Sequence, residues 1–564
     1  MTGELSPGLI LIIGALLVPF LRGRLRAAYI LALPIVALWQ LVTLPNGSFG
    51  EIHVLNMTLV TLRVDELSFV FGLIFLIAAF LCFIYALHID DTVQQVAALI
   101  YAGSAAGAVF AGDLITLFIF WEGTAVASLF LIWASRNERA YGAGLRYIVI
   151  QVTSGVLLLA GVVVHYSQTG EISFGHLGTE SLAGVLIFLA FGIKCAFPLL
   201  HNWLQDAYPE ATVTGTVVLS AFTTKLAVYA LARGYAGTEI LVAIGATMTA
   251  FPIFYAVIEN DLRRVLAYSL NNQLGFMVVG IGIGSELALN GTVAHAFCHI
   301  IYKALLFMSM GAVLFRTGTI KGSELGGLYK SMPWTTGFCI VGAASISAFP
   351  LFSGFISKAL IIAAAMDKGY FWTWLVLLFA SAGVFHHSGI KIPYFAFFAH
   401  DSGKRCAEAP ANMLIAMAIS AVLCILIGVY PRPLYDILPY GTVTFRPYTT
   451  EHVVTQLQLL VFSALAFTVL MRTGIYPPEL RRINLDFDWF YRRAGYTVAI
   501  TTGRWAQHAW SGFVRATKRG ARGAALAVER HHGPEGILAR TWPTGSMAFW
   551  TTIMLALYLI LSYL

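Results

Sequence analysis

Charged residues are scarce in this chain of 564 residues. Asp, Glu, Lys and Arg together make up 11% of the sequence, whereas hydrophobic residues make up 58% and aromatic residues 13%. A typical soluble domain has about twice that share of charged side chains. The composition therefore excludes an ordinary soluble domain and predicts an integral membrane protein.

Two further patterns are missing, namely closely spaced cysteine pairs and a basic stretch at the N-terminus. Its six cysteines are scattered with no C-x-x-C pair, which argues against a disulfide framework and a thiolate metal site. The first four residues carry no basic stretch, so the first apolar run is expected to be retained. The net charge of +7 is expected to lie in cytoplasmic loops, and neither a nucleic-acid partner nor a cofactor is predicted.

Apolar stretches long enough to cross a bilayer recur along the whole chain. They predict an all-α polytopic membrane protein with about 14–16 transmembrane helices. A segment from His53 to Val64 alternates apolar and polar residues, which predicts a small hairpin outside the hydrocarbon. The expected spans lie near residues 5–21, 27–44, 67–87, 92–112, 114–134, 147–166, 181–209, 212–232, 240–258, 265–285, 291–315, 333–366, 369–399, 411–430, 453–471 and 546–564.

Lys and Arg are divided unevenly between the short loops, with thirteen in the odd-numbered loops and five in the even-numbered ones. Because cytoplasmic loops are enriched in these residues, the odd loops are expected in the cytoplasm and the N-terminus outside. The predicted organisation is N-terminal transmembrane helices with an external hairpin (1–91), a first inverted five-helix repeat (92–235), a second (236–400), C-terminal transmembrane helices (401–476), a basic amphipathic cytoplasmic segment (477–545) and a final transmembrane helix (546–564).

Two of the expected spans contain a proline close to a lysine. In the seventh span Lys194 precedes Pro198, and in the twelfth span Pro350 and Gly354 precede Lys358. A proline inside a helix removes a backbone hydrogen bond, so both spans are predicted to be broken helices. Matched broken helices in two halves of a polytopic protein favour inverted repeats with an ion path at their interface, and a packing kink is the alternative.

Several ionisable residues fall inside the expected spans, where a charge at the bilayer centre costs about 2.5–3.5 kcal/mol even on the insertion scale. Burial disfavours the charged form and an opposite charge favours it, so neighbouring carboxylates, lysines and histidines can pass a proton along. Ion pairs that only hold helices together are the alternative, but the number of such groups favours a proton relay. The predicted relay residues are Glu122, Lys194, Lys225, His299, Lys303 and Lys358.

His295, His299 and Lys303 are spaced by four residues and therefore share one face of a helix. Two histidines at this spacing can bind zinc, and a b-type haem between helices is a further alternative. Lys303 would repel a cation and no nearby Glu or Cys completes a site, so no metal is predicted. A polar cluster in the thirteenth span marks either an extension of the relay or a hydrated helix end. The possible accessory relay residues are His295, His386, His387 and Lys391.

Four blocks of sequence carry a family resemblance: KCAFPLLHNWLQDAYPEA at 194–211, DLRRVLAYS at 261–269, HAFCHIIYKALLF at 295–307 and GFISK at 354–358. Together they resemble the antiporter-like subunits shared by respiratory complex I and Mrp-type cation/proton antiporters. The resemblance covers about residues 65–430. Lys225 makes the chain most similar to the D-type Mrp subunit, whereas Gln205 stands where the family usually has proline.

The resemblance implies that Glu122 pairs with Lys194 and that the relay continues through the later residues. It also implies a subunit of a multi-subunit complex in the bacterial cytoplasmic membrane, which moves protons and Na+ and has no catalytic chemistry of its own. A Mrp-type Na+/H+ antiporter is the first hypothesis. A complex I-like NADH:quinone oxidoreductase or hydrogenase and an inorganic-carbon uptake complex are alternatives. A structural anchor with a vestigial relay and a metal- or haem-binding membrane enzyme belong to different classes.

Residues 472–545 depart most from the family, with twelve Lys and Arg against five Asp and Glu. Arg515, Lys518, Arg519 and Arg522 are spaced to form a basic stripe on one side of a helix. This spacing predicts a cytoplasmic helix that lies in the membrane interface with its arginines reaching the headgroups. The alternative is a brace on a neighbouring subunit, which resembles the long amphipathic helix before the final span of some complex I subunits.

Overall fold

A computed structural model describes residues 5–54, 56–441, 443–480, 484 and 486–564. Its helices are α1 (Pro7–Ala15), α2 (Gly23–Thr43), α3 (Glu66–Ala86), α4 (Thr92–Val109), α5 (Leu114–Trp133), α6 (Glu138–Thr169), α7 (Leu182–Lys194), α8 (Asn202–Ala207), α9 (Val213–Ala221), α10 (Thr223–Gly234), α11 (Ile240–Ile258), α12 (Leu262–Ile283), α13 (Glu286–Thr317), α14 (Pro333–Ile346), α15 (Ser353–Asp367), α16 (Phe371–Val384), α17 (Lys391–Pro393), α18 (Ala411–Val429), α19 (Arg432–Tyr435), α20 (Thr450–Thr473), α21 (Tyr496–His532) and α22 (Thr544–Tyr563).

The prediction of an all-α polytopic membrane protein is confirmed. Each expected span is occupied by one helix or by an interrupted pair of helices. Within the described ranges, 11 helices are long and apolar enough to cross a membrane, and Pro7–Phe20 and Leu182–Lys194 are shorter apolar helices. Short 3-10 turns connect several helices, at Val18–Phe20, Tyr208–Glu210, Gly322–Glu324 and Leu328–Lys330.

A two-stranded antiparallel hairpin follows α2. Strand β1 (Gly47–Val54) pairs with β2 (Met57–Val64), with Gly47 opposite Val64 and Val54 opposite Met57. The hairpin is longer than the predicted segment, because the alternation in its first strand is too weak to indicate a strand. Asp113 ties it to the bundle: one carboxylate oxygen accepts the Val60 amide at 2.8 Å, and the other caps the start of α5.

The chain divides into two compact units, Met1–Asn484 and Leu485–Leu564. In the first unit α13 is the central helix: every residue from Ala288 to Val313 is buried. It packs against α3, α9, α12, α14, α15 and α18. Because a helix in this position faces other helices rather than lipid, its polar side chains are kept away from hydrocarbon.

The second unit contains the long helix α21 and the apolar helix α22. α21 runs through the predicted basic stripe, so the helix expected there is present. Trp510 and Phe513 on the same helix are exposed, with their rings stacked at 5.8 Å. Apolar and basic residues thus both remain available to an interface or to lipid headgroups.

The two predicted helix breaks are confirmed. α7 and α14 are each followed by the sequence Ala-Phe-Pro-Leu, at residues 196–199 and 348–351. In both turns the alanine and the leucine have positive φ, 61° and 71° in the first and 57° and 75° in the second. Non-glycine residues rarely adopt this region, so the two halves share an unusual turn. The inverted orientation of the halves stays a prediction.

A third interruption was not predicted. The eighth span is divided into α9 and α10 at Phe222, which has φ −107° and ψ −67°. No proline or glycine marks this position, so the residue pattern gave no sign of the break. Because of this break, Lys225 lies in the first turn of α10 rather than in the middle of one continuous helix.

Candidate functional site

Glu122 and Lys194 lie near each other in the first half of the bundle. Lys194 is fully buried at the end of α7, and its Nζ donates to the Trp121 carbonyl at 2.5 Å and to Thr124 Oγ1 at 2.8 Å. Glu122, in the middle of α5, is half-buried and lies against Gly155 of α6. The two charges interact electrostatically, but among the described residues they form no ion pair within 4.0 Å. Lys194 is therefore held by neutral oxygens, and the Glu122 carboxylate acts on it from a longer distance.

Lys225 is also fully buried, just after the break between α9 and α10. Its Nζ donates to the Ser220 carbonyl at 2.5 Å. Ser220 lies in the last turn of α9, where backbone carbonyls have no partner within their own helix. The unexpected break therefore supplies the oxygen that holds this lysine.

His299 and Lys303 occupy the centre of α13, and both are fully buried. In the part of the chain that the structure describes, neither ring nitrogen of His299 nor Nζ of Lys303 has a hydrogen-bond partner. Lys225 and Lys358 both act electrostatically on each of them. The pair thus lies within electrostatic range of Lys225, from the predicted first repeat, and of Lys358, from the predicted second repeat.

His295 differs from His299 because it has neutral polar neighbours. Its Nδ1 lies 3.0 Å from Ser357 Oγ, and its Nε2 lies 3.5 Å from the Tyr302 hydroxyl. Lys358 lies within electrostatic range of His295, and its Nζ donates to the Ile346 carbonyl at 2.7 Å. His295 is therefore placed beside the row rather than within it.

The partners of Lys225 and Lys358 share one structural feature, namely the C-terminal end of a helix. Ser220 is in the last turn of α9, and Ile346 is the last residue of α14. The C-terminal end of a helix carries a partial negative charge and unpaired carbonyls. Broken helices bring such ends to the depth of the buried lysines, which a continuous helix cannot do.

The polar cluster of the thirteenth span lies in a distorted helix. α16 continues as a π-helix (Phe385–Ile390), α17 follows, and a second π-helix (Tyr394–Phe398) completes the span. His387 and Lys391 are fully buried, so the cluster is not a hydrated helix end. His387 Nδ1 lies 2.8 Å from Ser388 Oγ, which donates to Ser269 Oγ of α12 at 2.7 Å. His386 is half-buried beside it.

Lys391 has a partner that the sequence interpretation missed. Its Nζ forms an ion pair with Glu479 Oε1 at 2.9 Å and donates to the carbonyls of Val257 and Glu259, each at 2.6 Å. Glu479 lies beyond the end of α20, outside every expected span. The available signal was an acidic residue that directly follows Pro477-Pro478 in an otherwise basic segment.

α12 contributes a second set of missed residues. Asn271, Asn272 and Gln273 are fully buried, and Gln273 Nε2 donates to Asn272 Oδ1 at 2.6 Å. Gln273 Oε1 accepts from the Tyr302 hydroxyl at 3.1 Å, which connects this set to His295. Buried amide groups of this kind usually bind ordered water as well as protein. Three consecutive amides inside an apolar span were the sequence signal.

The site as described has no metal-ligating constellation. In the described parts of the chain, no group of three or more His, Cys, Asp and Glu side chains is placed to hold a metal ion. His295 and His299 have ring centroids 6.1 Å apart. The geometry is that of a buried row of lysines and histidines with one carboxylate at its beginning.

Fold and site together define a multi-pass membrane protein with buried ionisable side chains at broken helices. Comparison with known proteins gives the family. The transmembrane family "NADH:quinone oxidoreductase/Mrp antiporter, TM" matches residues 111–385. The D-type subunit of the Na(+)/H(+) antiporter of Alkalihalophilus pseudofirmus is 31% identical over 356 residues, which are 58% of this chain and 71% of that protein. The chain belongs to this family of antiporter-like membrane subunits.

The family includes subunits of redox complexes as well. The N-type subunit of the NADH-quinone oxidoreductase of Desulforudis audaxviator is 29% identical over 354 residues, covering 57% of this chain and 70% of that protein. Among solved structures, a chain of the archaeal membrane-bound sulfane sulfur reductase superposes with a TM-score of 0.72 at 21% identity, over 98% of this chain and 99% of that one. The last likeness establishes the fold alone.

Proposed function

We propose that this chain is a proton-translocating subunit of a Mrp-type monovalent cation/proton antiporter in the bacterial cytoplasmic membrane. Protons move along Glu122, Lys194, Lys225, the His299/Lys303 pair and Lys358. The observation that carries the proposal is the central pair. His299 and Lys303 are fully buried, have no hydrogen-bond partner among the described residues, and lie within electrostatic range of Lys225 and Lys358.

The arrangement suits stepwise proton transfer. Lys194, Lys225 and Lys358 are held by carbonyl or hydroxyl oxygens rather than by a tightly paired carboxylate. A lysine held by neutral oxygens gives up its proton more easily than one in a close ion pair. Moving one proton across a membrane potential of about 100 mV changes its free energy by about 2.3 kcal/mol. Several small transfer steps between buried groups suit a free-energy change of this size.

The remaining predicted residues take secondary roles in this proposal. His295 tunes Lys358 and His299 through Ser357 and Tyr302. His386, His387 and Lys391 form an accessory branch of the relay. The partners are other membrane subunits, which exchange Na+ or another monovalent cation for the protons that this chain conducts.

The relay is tested by Lys194→Ala and Lys358→Ala in the complete complex, with cation-driven proton movement measured in inverted membrane vesicles. Positioned proton-transfer groups contribute about 10²–10⁴-fold to a rate, so we expect at least a tenfold loss with each variant. Lys368→Ala is the matched control, because Lys368 is exposed at the end of the helix that holds Lys358. Unchanged transport by Lys194→Ala in a fully assembled complex would contradict the relay and favour a structural anchor.

The second candidate function is a proton-pumping subunit of a redox-driven complex, which the similarity to the N-type subunit of NADH-quinone oxidoreductase favours. Both functions use the same row of residues, so the driving reaction distinguishes them. Proton movement that follows a Na+ or K+ gradient supports the antiporter. Proton movement that requires an electron donor and is insensitive to both cations supports the redox-driven complex.

A further inference from the structure

The segment that follows α20 packs back onto the bundle. α20 ends at Gly474, which has φ 71°, and the chain then turns so that the Tyr476 amide donates to the Leu470 carbonyl at 3.0 Å. The Tyr476 ring stacks on His386, with ring centroids 5.6 Å apart and an interplanar angle of 18°. Phe467 packs edge-on against Tyr476 at 5.4 Å. Residues just past Tyr476 are therefore fixed next to the polar cluster.

Glu479 is placed within this packed region by two prolines. Pro477 and Pro478 restrict the backbone between Tyr476 and Glu479. The Glu479 side chain is only 8% exposed and pairs with the fully buried Lys391. A buried carboxylate–lysine pair therefore lies outside residues 111–385, the region that the family matches.

Charged and titratable groups face Glu479 from each neighbouring element. Lys391 comes from α17, Glu259 from the end of α11, and Tyr476 from the same segment as Glu479 itself. The Asn484 side chain donates to Glu259 Oε2 at 3.2 Å, which holds the segment against α11. Burial raises the pKa of the Glu479 carboxyl, and the charge of Lys391 opposes this rise.

A row of groups connects this pair to the centre of the bundle. His387 lies within electrostatic range of Lys303 and Lys358, and also of His386 and Lys391. Glu479 extends this series through its ion pair with Lys391. It lies beside the end of α11 and the loop that leads to Arg263 and Arg264, which the distribution of basic residues assigns to the cytoplasmic side.

We propose that Glu479 is a further proton-carrying residue, which exchanges protons between Lys391 and the cytoplasmic water. This inference rests on the proposed relay function. A proton on the Lys391 ammonium moves to the Glu479 carboxylate across their ion pair, which leaves a neutral amine and a neutral acid. Glu479 then releases the proton to water, and Lys391 is recharged from His387. Proton uptake uses the same steps in reverse, and no other reactant is needed.

The test compares Glu479→Gln with Glu479→Asp in the complete complex, by proton movement in inverted vesicles. Glutamine preserves the size of the side chain but cannot release a proton, so we expect at least about a tenfold loss. Aspartate keeps a carboxyl, so we expect most of the transport to return. Glu451→Gln is the matched control, because Glu451 is exposed at the other end of α20. Lys194→Ala is measured in parallel.

The outcomes separate this inference from the proposed function. If Lys194→Ala abolishes transport and Glu479→Gln does not, the relay stands and the role of Glu479 is overturned. If Lys194→Ala has no effect, the relay and this inference fail together. If Gln and Asp lose transport equally, Glu479 only fastens the segment. Should Glu479→Gln fail to assemble, Lys391→Met/Glu479→Leu replaces the pair by apolar side chains, and normal transport by that variant overturns the inference.

Discussion

Replacing Lys303 by methionine is expected to stabilise the protein while it stops proton transport. Lys303 is fully buried, its Nζ has no hydrogen-bond partner among the described residues, and Lys225 and Lys358 are the charged groups that act on it. A buried polar group without a partner costs about 1–3 kcal/mol, and more when it is charged. Methionine has a similar length and no group that requires a partner. We therefore expect the free energy of unfolding to rise by about 1–3 kcal/mol.

Lys358→Met provides the contrast, because Lys358 is equally buried but donates to the Ile346 carbonyl. Its removal leaves a carbonyl at the end of α14 without its donor, which costs about 1–3 kcal/mol. The two substitutions are chemically identical and remove buried lysines from the same row. The structure nevertheless predicts opposite changes in stability and the same loss of transport.

The assay is thermal unfolding of the purified complex in detergent, followed by tryptophan fluorescence at one fixed heating rate, because unfolding of such proteins is often irreversible. One kcal/mol corresponds to about 1 °C in a chain of this size, so the expected rise for Lys303→Met is about 1–3 °C. Proton movement is measured on the same preparations after reconstitution. An unfolding temperature that falls as far with Lys303→Met as with Lys358→Met would refute the reasoning.

Two further outcomes are expected. Gly155→Ala should impair transport, because a Cβ at Gly155 overlaps the Glu122 carboxylate and displaces it. A Cβ at Gly142 on the same helix meets only the end of a flexible side chain, so Gly142→Ala should leave vesicle transport unchanged. Equal transport rates in the two variants would contradict this placement of Glu122. Hydrogen bonds from Arg405 and Lys330 hold the pKa of Asp401 below its usual range. The contacts of ionised Asp401 should therefore keep the loop after the thirteenth span ordered above about pH 3.9, and this order should be lost only at lower pH. Limited proteolysis of Asp401→Asn at neutral pH should therefore already show faster cleavage in this loop, and an unchanged cleavage rate would argue against that contact.

The positions of most site residues could be predicted because they depend on local sequence. Four-residue spacing puts His295, His299 and Lys303 on one face of α13, and the helix is continuous from Glu286 to Thr317. The prolines at 198 and 350 mark two breaks, which the structure confirms. Periodicity and proline chemistry act within a few residues, so a single sequence is enough to locate these features.

What could not be predicted depends on contacts between distant segments. The ion pair of Lys391 with Glu479 joins two segments that are far apart in the chain, and no local pattern indicates which carboxylate reaches which lysine. The break at Phe222 has no proline or glycine, so no local pattern indicates it. The partners of Lys225 and Lys358 are backbone carbonyls, which every residue possesses and which composition therefore cannot reveal.

The C-terminal ends of helices explain why the buried lysines Lys225 and Lys358 are compatible with the interior of the bundle. A free carboxylate beside Lys225 or Lys358 would form a close ion pair, which is costly to bury. A helix C-terminus instead offers carbonyl oxygens and a partial negative charge that stabilise the ammonium only moderately. Lys225 and Lys358 use carbonyls of this kind, from α9 and α14. Lys391 combines such a carbonyl, from α11, with its ion pair to Glu479.

Lys303 differs from Lys225 and Lys358, and its position makes the difference meaningful. Its Nζ has no hydrogen-bond partner among the described residues, and its protonation depends on the charges of Lys225 and Lys358. Charging either neighbour disfavours a proton on Lys303, and discharging it favours one. The protonation of Lys303 thus responds to the charge of both neighbouring lysines. A lysine bound to a carbonyl at the same place would respond more weakly. Lys303 differs from the carbonyl-bound lysines because three of the spans are broken helices, whereas α13 is continuous.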